Sequence, residues 1–130
     1  MKRMVFISLA ILLLCPVMAN AAELEKMKIA VAASSKTAKA SVSNMAAKCP
    51  YYLIFNNKGE LIEVIDNPYR DASGGAGPSA ANFLAQRDVT IVIAGDFGSK
   101  MINTLKNKGI THFEFKGRVD DAVKRVLKLN

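Results

Sequence analysis

The sequence has few of the side chains that usually build catalytic and metal centres. It contains one histidine, two cysteines and no tryptophan in 130 residues. Because Cys15 lies in the amino-terminal segment 1–21, Cys49 is the one thiol in the rest of the chain, which excludes an internal disulfide there. A lone thiol can be a buried apolar residue, a metal ligand, a redox group or an intermolecular bridge, and all four alternatives stay open.

Residues 1–21 have the pattern of a secretory signal peptide. A basic start precedes an apolar run, 5–14, that is too short to span a bilayer, and Ala19-Asn20-Ala21 supplies the small residues of a cleavage site. A lipoprotein signal ending at Cys15 is the alternative. We predict an exported, periplasmic protein whose mature part, 22–130, is a single domain without a stable membrane anchor.

The charge balance is basic but not concentrated. The formal net charge of +7 falls by two, to +5, when Lys2 and Arg3 leave with the signal. A basic surface favours anionic partners in general. Lysines and arginines form no dense run interleaved with aromatics, so we expect no nucleic acid partner; attraction to nucleic acid or to a membrane surface is retained as a minor alternative.

Apolar runs and turn signals predict a mixed α/β fold. Asn56 to Gly59 has turn chemistry, so the second and third strands are expected to form an antiparallel hairpin. In three later segments the apolar residues recur at helical spacing. Helices that join successive strands predict crossover connections, so the later strands are expected to be parallel. The segment 34–48 is compatible with a loop or a short helix. The predicted strands are 28–33, 51–55, 61–65, 89–94 and 110–115, and the helices are 78–87, 99–106 and a last one beginning at Asp120 or Asp121.

Two glycine-rich loops lie where the chain enters a predicted helix. Glycine lets a ligand approach the main chain, and a helix N-terminus offers unpaired N–H groups with a partial positive charge. Each loop is therefore a candidate cradle for a small anion, with a simple tight turn as the alternative. The cradle residues are Gly74, Gly75, Ala76 and Gly77 in the first loop and Gly95, Asp96 and Gly98 in the second.

Signatures of common enzymes are missing. A two-metal nuclease needs several carboxylates at neighbouring strand ends, whereas the first strand has none and Asp96 stands alone after the fourth. No serine has a base within expected reach, and neither glycine loop follows the phosphate-binding or dinucleotide patterns. Asp96 is predicted to cap the helix that follows it. We therefore predict that the protein is not an enzyme.

Several segments are informative as an ordered set. They are Lys28-Ile-Ala-Val-Ala, Cys49-Pro-Tyr-Tyr-Leu-Ile-Phe, Asn67-Pro, Gly74-Gly-Ala-Gly, Ala80-Ala-Asn-Phe-Leu, 89–95 and 105–110. In this order they resemble the dinitrogenase iron-molybdenum cofactor biosynthesis family, which includes NifX-like proteins and the carboxyl-terminal domain of NifB-type enzymes. The resemblance covers 28–128. It implies a ribonuclease H-like three-layer fold with a mixed five-stranded sheet in which strand two is antiparallel to the others.

The resemblance also implies a function and a place for the site. Members of the family bind or carry iron–sulfur or iron–molybdenum cofactor precursors, so we expect a non-enzymatic carrier of an anionic metal cluster or similar small anion. The implied strand order brings Ser34, Ser35, Lys48 and both glycine loops to one sheet edge. Cys49 is a candidate metal ligand because two helix N-termini there would favour its thiolate. His112, in the middle of strand five, is a second candidate ligand.

The chain also departs from the family pattern. Many members carry a Phe-Gly-Arg-Ala type of sequence before strand two, where this chain has Ala46-Ala47-Lys48-Cys49. Export would separate the protein from nitrogenase assembly, which takes place in the cytoplasm. The alternative function is therefore an exported interaction or scaffold module that kept the fold and lost the ligand. Strand five or the free Cys49 could then support a homodimer or another protein partner.

Overall fold

Residues 26–129, the part of the chain that the computed structural model describes, form three strands in succession and then three helices that alternate with two further strands. The predicted signal peptide, 1–21, lies outside these residues. The strands are β1 Ile29–Ala33, β2 Tyr51–Phe55, β3 Leu61–Asp66, β4 Ile91–Ala94 and β5 Thr111–Glu114. The helices are α1 Ala76–Gln86, α2 Ser99–Asn107 and α3 Val119–Lys128.

The strands form one mixed sheet in the order β3-β2-β1-β4-β5. β1 pairs antiparallel with β2 and parallel with β4, β2 pairs antiparallel with β3, and β4 pairs parallel with β5. Only β2 therefore runs against the others, as predicted. The β2–β3 turn closes as its sequence indicates: the Asn56 side chain accepts bonds from the backbone N–H groups of Lys58 and Glu60 at 3.0 Å each.

Helices cover both faces of the sheet. On one face, Leu84 of α1 and Leu105 of α2 pack into a cluster with Tyr52 and Ile54 of β2. On the opposite face, α3 packs into a second cluster that includes Val31. All five residues of β1 are buried, since this central strand is covered on both sides. The predicted three-layer α/β fold is confirmed.

The segment 34–48 is a loop that crosses the carboxyl ends of the central strands. It is tied down by bridges that pair Val42 with Ala33 and Ser41 with Arg118. Ser43 donates its N–H to the Ala32 carbonyl, and its own carbonyl accepts the Gly95 N–H, both at 2.8 Å. The loop then delivers residues 46–49 to the sheet edge at which β2 begins. Within 26–129, no helix has the length and apolar character needed to cross a membrane.

Candidate anion-binding site

The first turns of α1 and α2 open into one cavity at the carboxyl edge of the parallel strands. The cavity has a volume of about 390 Å³. Residues 75–78 line it from the start of α1, and 98–101 line it from the start of α2. Ala47 and Lys48, from the loop before β2, complete the wall. We call this space the two-helix cavity.

A glycine brings the two helix starts together. A Cβ at Gly77 would lie 3.2 Å from both the backbone nitrogen and the Cβ of Met101. The first turn of α1 thus approaches the first turn of α2 closely enough that a side chain there would be crowded. Backbone contact at this point places two helix N-termini on one wall instead of separating them by side chains.

Both helix starts lack side-chain caps. The capping positions are Gly75, which has a left-handed φ of 68°, and Gly98, and no side-chain hydrogen bond caps either helix. Neither first turn carries an acidic residue, whereas α3 has Asp120 and Asp121 in its first turn. Since the first N–H groups of a helix have no intrahelical acceptor, α1 and α2 direct partial positive charge into the cavity.

Two lysines add full positive charge to the same wall. Lys48 and Lys100 line the cavity, and no acidic residue lines it with them. Among the interactions of residues 26–129, neither ammonium group takes part in a hydrogen bond or an ion pair. The positive potentials of the helix N-termini and of the unpaired lysines reinforce one another, because a concave surface concentrates the electrostatic field. The cavity is suited to a small anion.

The structure gathers about half of the predicted anion-site residues in this cavity. Those that line it are Lys48, Gly75, Ala76, Gly77 and Gly98. Those that do not are Ser34, Ser35, Gly74, Gly95 and Asp96. The prediction that the two glycine loops share one sheet edge with Lys48 is therefore matched by the geometry, and ligand binding by any of these residues stays a prediction.

Two residues of the second loop have other surroundings than the sequence indicates. Gly95 is buried, and a Cβ there would lie 3.0 Å from the Cα of Asn44, so this glycine permits the crossing loop to pass close by. Asp96 is exposed, and the helix is capped by Gly98 without any side-chain bond. The predicted capping role of Asp96 is wrong, because the chain continues for two more residues before the helix begins.

Cys49 lies behind the cavity wall, not on it. The residue is fully buried, with Sγ 3.9 Å from the Ala46 carbonyl and 3.8 Å from Nδ2 of Asn67. Burial raises the pKa of the Cys49 thiol from 9.0 to about 12. The expected direction of this pKa is thus reversed, because desolvation outweighs any effect of the helix ends. A metal–thiolate bond at Cys49 stays a prediction without its original electrostatic reason.

A family model described as dinitrogenase iron-molybdenum cofactor matches residues 27–129. The chain belongs to this family. Its fold is similar to that of the apo form of the orange protein from Desulfovibrio gigas, with 27% identity, a TM-score of 0.74, and coverage of 78% of this chain and 88% of that one. A putative NifB protein from Thermotoga has the same identity and coverage with a TM-score of 0.67. A comparison with curated proteins found no match.

A third solved structure extends the fold comparison alone. It is a putative dinitrogenase from Methanocaldococcus jannaschii, with 18% identity, a TM-score of 0.56, and coverage of 78% of this chain and 88% of that one. The relation to the dinitrogenase iron-molybdenum cofactor family spans nearly all of the described chain. The two-helix cavity, built from residues 47–48, 75–78 and 98–101, thus lies inside the part of the chain that defines family membership.

The second candidate metal ligand of this family member lies away from the cavity. The His112 ring packs edge-on against Phe97, with ring centroids 5.1 Å apart. Phe113 and Phe115 pack on the opposite sheet face, as strand alternation predicts. Within residues 26–129, histidine, cysteine and acidic side chains form no group of three that could hold a metal ion. Ligation by His112 stays a prediction.

Sequence reasoning missed one cation of the site. Lys100 lies in the first turn of α2 and lines the cavity. Its signal was its position two residues after Gly98, since any residue in the first turn of a helix lies near the N-terminal N–H groups. Ala47, Pro78, Ser99 and Met101 complete the lining and have no chemical signature of their own.

A larger cavity, of about 700 Å³, lies at the other end of the molecule, beside the carboxyl ends of α1 and α2. Lys26, Lys28 and Lys108 line it together with Asp88. Nζ of Lys28 donates to the carbonyl of Arg87, the residue that caps the end of α1, at 2.8 Å. Cations at this end complement the negative ends of two helices, so their presence is explained without a ligand.

Proposed function

We propose that this protein is a non-enzymatic carrier that holds an anionic metal–sulfur cluster, of iron–sulfur or iron–molybdenum type, in the two-helix cavity. One observation carries the proposal: two uncapped helix N-termini and two unpaired lysines face the same 390 Å³ space, and no carboxylate does. Membership of the dinitrogenase iron-molybdenum cofactor family supports a metal cluster as the class of anion.

The surrounding residues favour binding without a covalent metal–protein bond. Cluster sulfides are hydrogen-bond acceptors, and the cavity offers donors of two kinds, the backbone N–H groups of the helix starts and the ammonium groups of Lys48 and Lys100. The one thiol in the described chain is buried and protonated at neutral pH, because the pKa of Cys49 is raised to about 12. Such a site releases its cargo without breaking a thiolate bond, which suits a carrier.

Titration with tetrathiomolybdate, a coloured molybdenum–sulfur dianion, tests this function. We expect saturable binding to the purified protein without oxygen, read as a change in the visible spectrum. Lys48→Met and Lys100→Met should each weaken binding by roughly tenfold, since a hydrogen bond to a charged group contributes at least about 1.5 kcal/mol and about 1.4 kcal/mol corresponds to a tenfold change. Lys106→Met is the matched control, because Lys106 lies in the last turn of the same helix as Lys100.

The outcomes of this titration separate the candidate functions. Equal affinities for sulfate and tetrathiomolybdate would indicate that the ligand is a general oxyanion and not a metal cluster. Absence of binding in the unchanged protein would refute the carrier function and favour the exported scaffold module. Equal losses in Lys106→Met and Lys48→Met would show attraction to the general basic surface, which is strongly reduced by added salt, and not to the cavity.

We further propose that the carrier acts outside the cytoplasm. The support is the signal-peptide pattern of residues 1–21, which lie outside the described part of the chain. Mass spectrometry of the protein from its native host should find a mature amino terminus at Ala22. An intact chain beginning at Met1 in the soluble cell interior would refute export.

A further inference from the structure

We infer that Asn67 positions Lys48 in the two-helix cavity, an inference that rests on the proposed anion binding there. Asn67 is the one amide-bearing or charged side chain that is buried within residues 26–129, with 2% of its surface exposed. Its Nδ2 donates to the Ala47 carbonyl at 2.8 Å and to the Cys49 carbonyl at 2.9 Å. These two carbonyls stand immediately before and after Lys48, so a single amide group clamps the backbone on both sides of the lysine.

The clamp is itself fixed by the sheet. Asn67 directly follows β3, and its backbone N–H donates to the Pro50 carbonyl at 3.1 Å. Its Oδ1 accepts the Tyr69 N–H at 3.0 Å, which leaves the NH₂ group directed toward Ala47 and Cys49. Every strong hydrogen-bonding group of the side chain is therefore used. The position of the loop before β2 is set by the end of β3, 20 residues later in the sequence.

Lys48 depends on this clamp because the Asn67 amide holds the two carbonyls that flank it, whereas the other anchors act on its neighbours. Residues 46–49 form no helix or strand, and the Lys48 ammonium has no bonding partner in the described chain. The neighbouring residues have further anchors: the Tyr52 hydroxyl and the Cys49 thiol both donate to the Ala46 carbonyl, and Ala46 and Cys49 are buried in the core. Asn67 does not line the cavity, so it acts through Lys48 and not by touching the ligand.

Replacing Asn67 by leucine would preserve much of its volume and remove the clamp. The half-buried Ala47 carbonyl and the buried Cys49 carbonyl would lose their donor, and the loop should move so that these carbonyls reach water. Lys48 would move with it. The loss of anion affinity should approach the loss caused by removing the lysine itself, roughly tenfold, since the clamp acts through that one cation.

A double-mutant cycle tests this dependence. Tetrathiomolybdate affinity is measured for the unchanged protein, Asn67→Leu, Lys48→Met and the double variant. We expect each single variant to weaken binding about tenfold and the double variant to weaken it by little more than Lys48→Met alone. If the affinity loss of the double variant equals the product of the two single losses, the inference is overturned, because Asn67 would then support the site without acting through Lys48. Undiminished affinity in Asn67→Leu would also overturn it.

Two further variants guard against a general loss of structure. Tyr52→Phe removes the hydroxyl bond to the Ala46 carbonyl, and it should lower stability while weakening binding less than Asn67→Leu does. Where Asn67→Leu fails to fold, Asn67→Ser, which retains one donor, replaces it in the cycle with a smaller expected loss of about threefold, and an affinity equal to that of the unchanged protein would then count against the clamp.

A ligand-free measurement separates this inference from the proposed function. Backbone order parameters from NMR relaxation should fall at residues 47–49 in Asn67→Leu and remain unchanged in α1. Unchanged order at Lys48 would overturn the positioning role even in a protein that binds tetrathiomolybdate. Increased mobility at Lys48 in a protein that binds no anion would instead support the clamp and refute only the carrier function.

Discussion

The buried thiol should make the stability of this protein depend on pH in the alkaline range. The pKa of Cys49 rises from 9.0 to about 12 in the folded state, chiefly through burial. A group whose folded pKa lies above its unfolded pKa stabilises the fold below the unfolded value and loses that contribution as the pH rises. The window for Cys49 is therefore about pH 9 to 12.

The size of this effect follows from the shift. Each pKa unit corresponds to 1.36 kcal/mol, so the difference from 9.0 to about 12 corresponds to about 4 kcal/mol across the whole window. At about pH 10.5, in the middle of the window, about 2 kcal/mol of unfolding free energy should be lost to ionisation of this thiol. Such a loss is a large part of the stability of a small domain.

Urea unfolding at pH 7.5 and pH 10.5 measures the loss, with Cys49→Ser as the control. Serine does not ionise in this range. Burial raises the pKa of Tyr52 as well, and this tyrosine is present in both proteins. The unchanged protein should therefore lose about 2 kcal/mol more than Cys49→Ser between the two pH values. Equal losses in both proteins would refute the reasoning, because they would mean that the Cys49 thiolate is tolerated at its buried position.

Alanine substitutions at three glycines should have different effects: one on stability, one on anion binding and one on neither. Gly95→Ala should destabilise the protein by about 1–3 kcal/mol in urea unfolding, because its Cβ would meet the Cα of Asn44 at 3.0 Å. Gly77→Ala should weaken tetrathiomolybdate binding severalfold by forcing apart the two helix starts at Met101, with little change in melting temperature since alanine favours the helix. Gly74→Ala, with open space around it, should change neither quantity, and an effect as large as that of Gly77→Ala would contradict the steric argument.

The fold was largely predictable because local signals agreed with one another. The Asn56 to Gly59 turn fixed the hairpin, and apolar runs bounded by helical spacing indicated the parallel crossovers. Predicted strand 89–94 is shorter in the structure, where β4 is Ile91–Ala94. Just before it, Thr90 bonds to the backbone of Lys28 through both its N–H and its hydroxyl. The exact ends of a strand depend on tertiary contacts, and the local sequence pattern does not reveal these contacts.

The candidate site was predictable only where it is made of backbone. Glycines before helices indicated the two helix starts, and the implied strand order placed both at one edge. The Cys49 pKa was predicted in the wrong direction because the depth of a side chain depends on what covers it. In this protein Tyr52 and Asn67, which is 18 residues later in the sequence, contact the thiol and bury it behind the cavity wall.

The departure from the family pattern before β2 is understandable in the same terms. The loop is held through main-chain atoms: the Ala46 carbonyl accepts the Tyr52 hydroxyl, and the Ala47 carbonyl accepts the Asn67 amide. Side chains at these two positions take no part in either bond, so alanines can stand where other members carry phenylalanine and glycine. The cation at Lys48 is the element of that motif that faces the cavity. Anion binding in this chain should therefore depend on Lys48 and its clamp more than on the residues that differ.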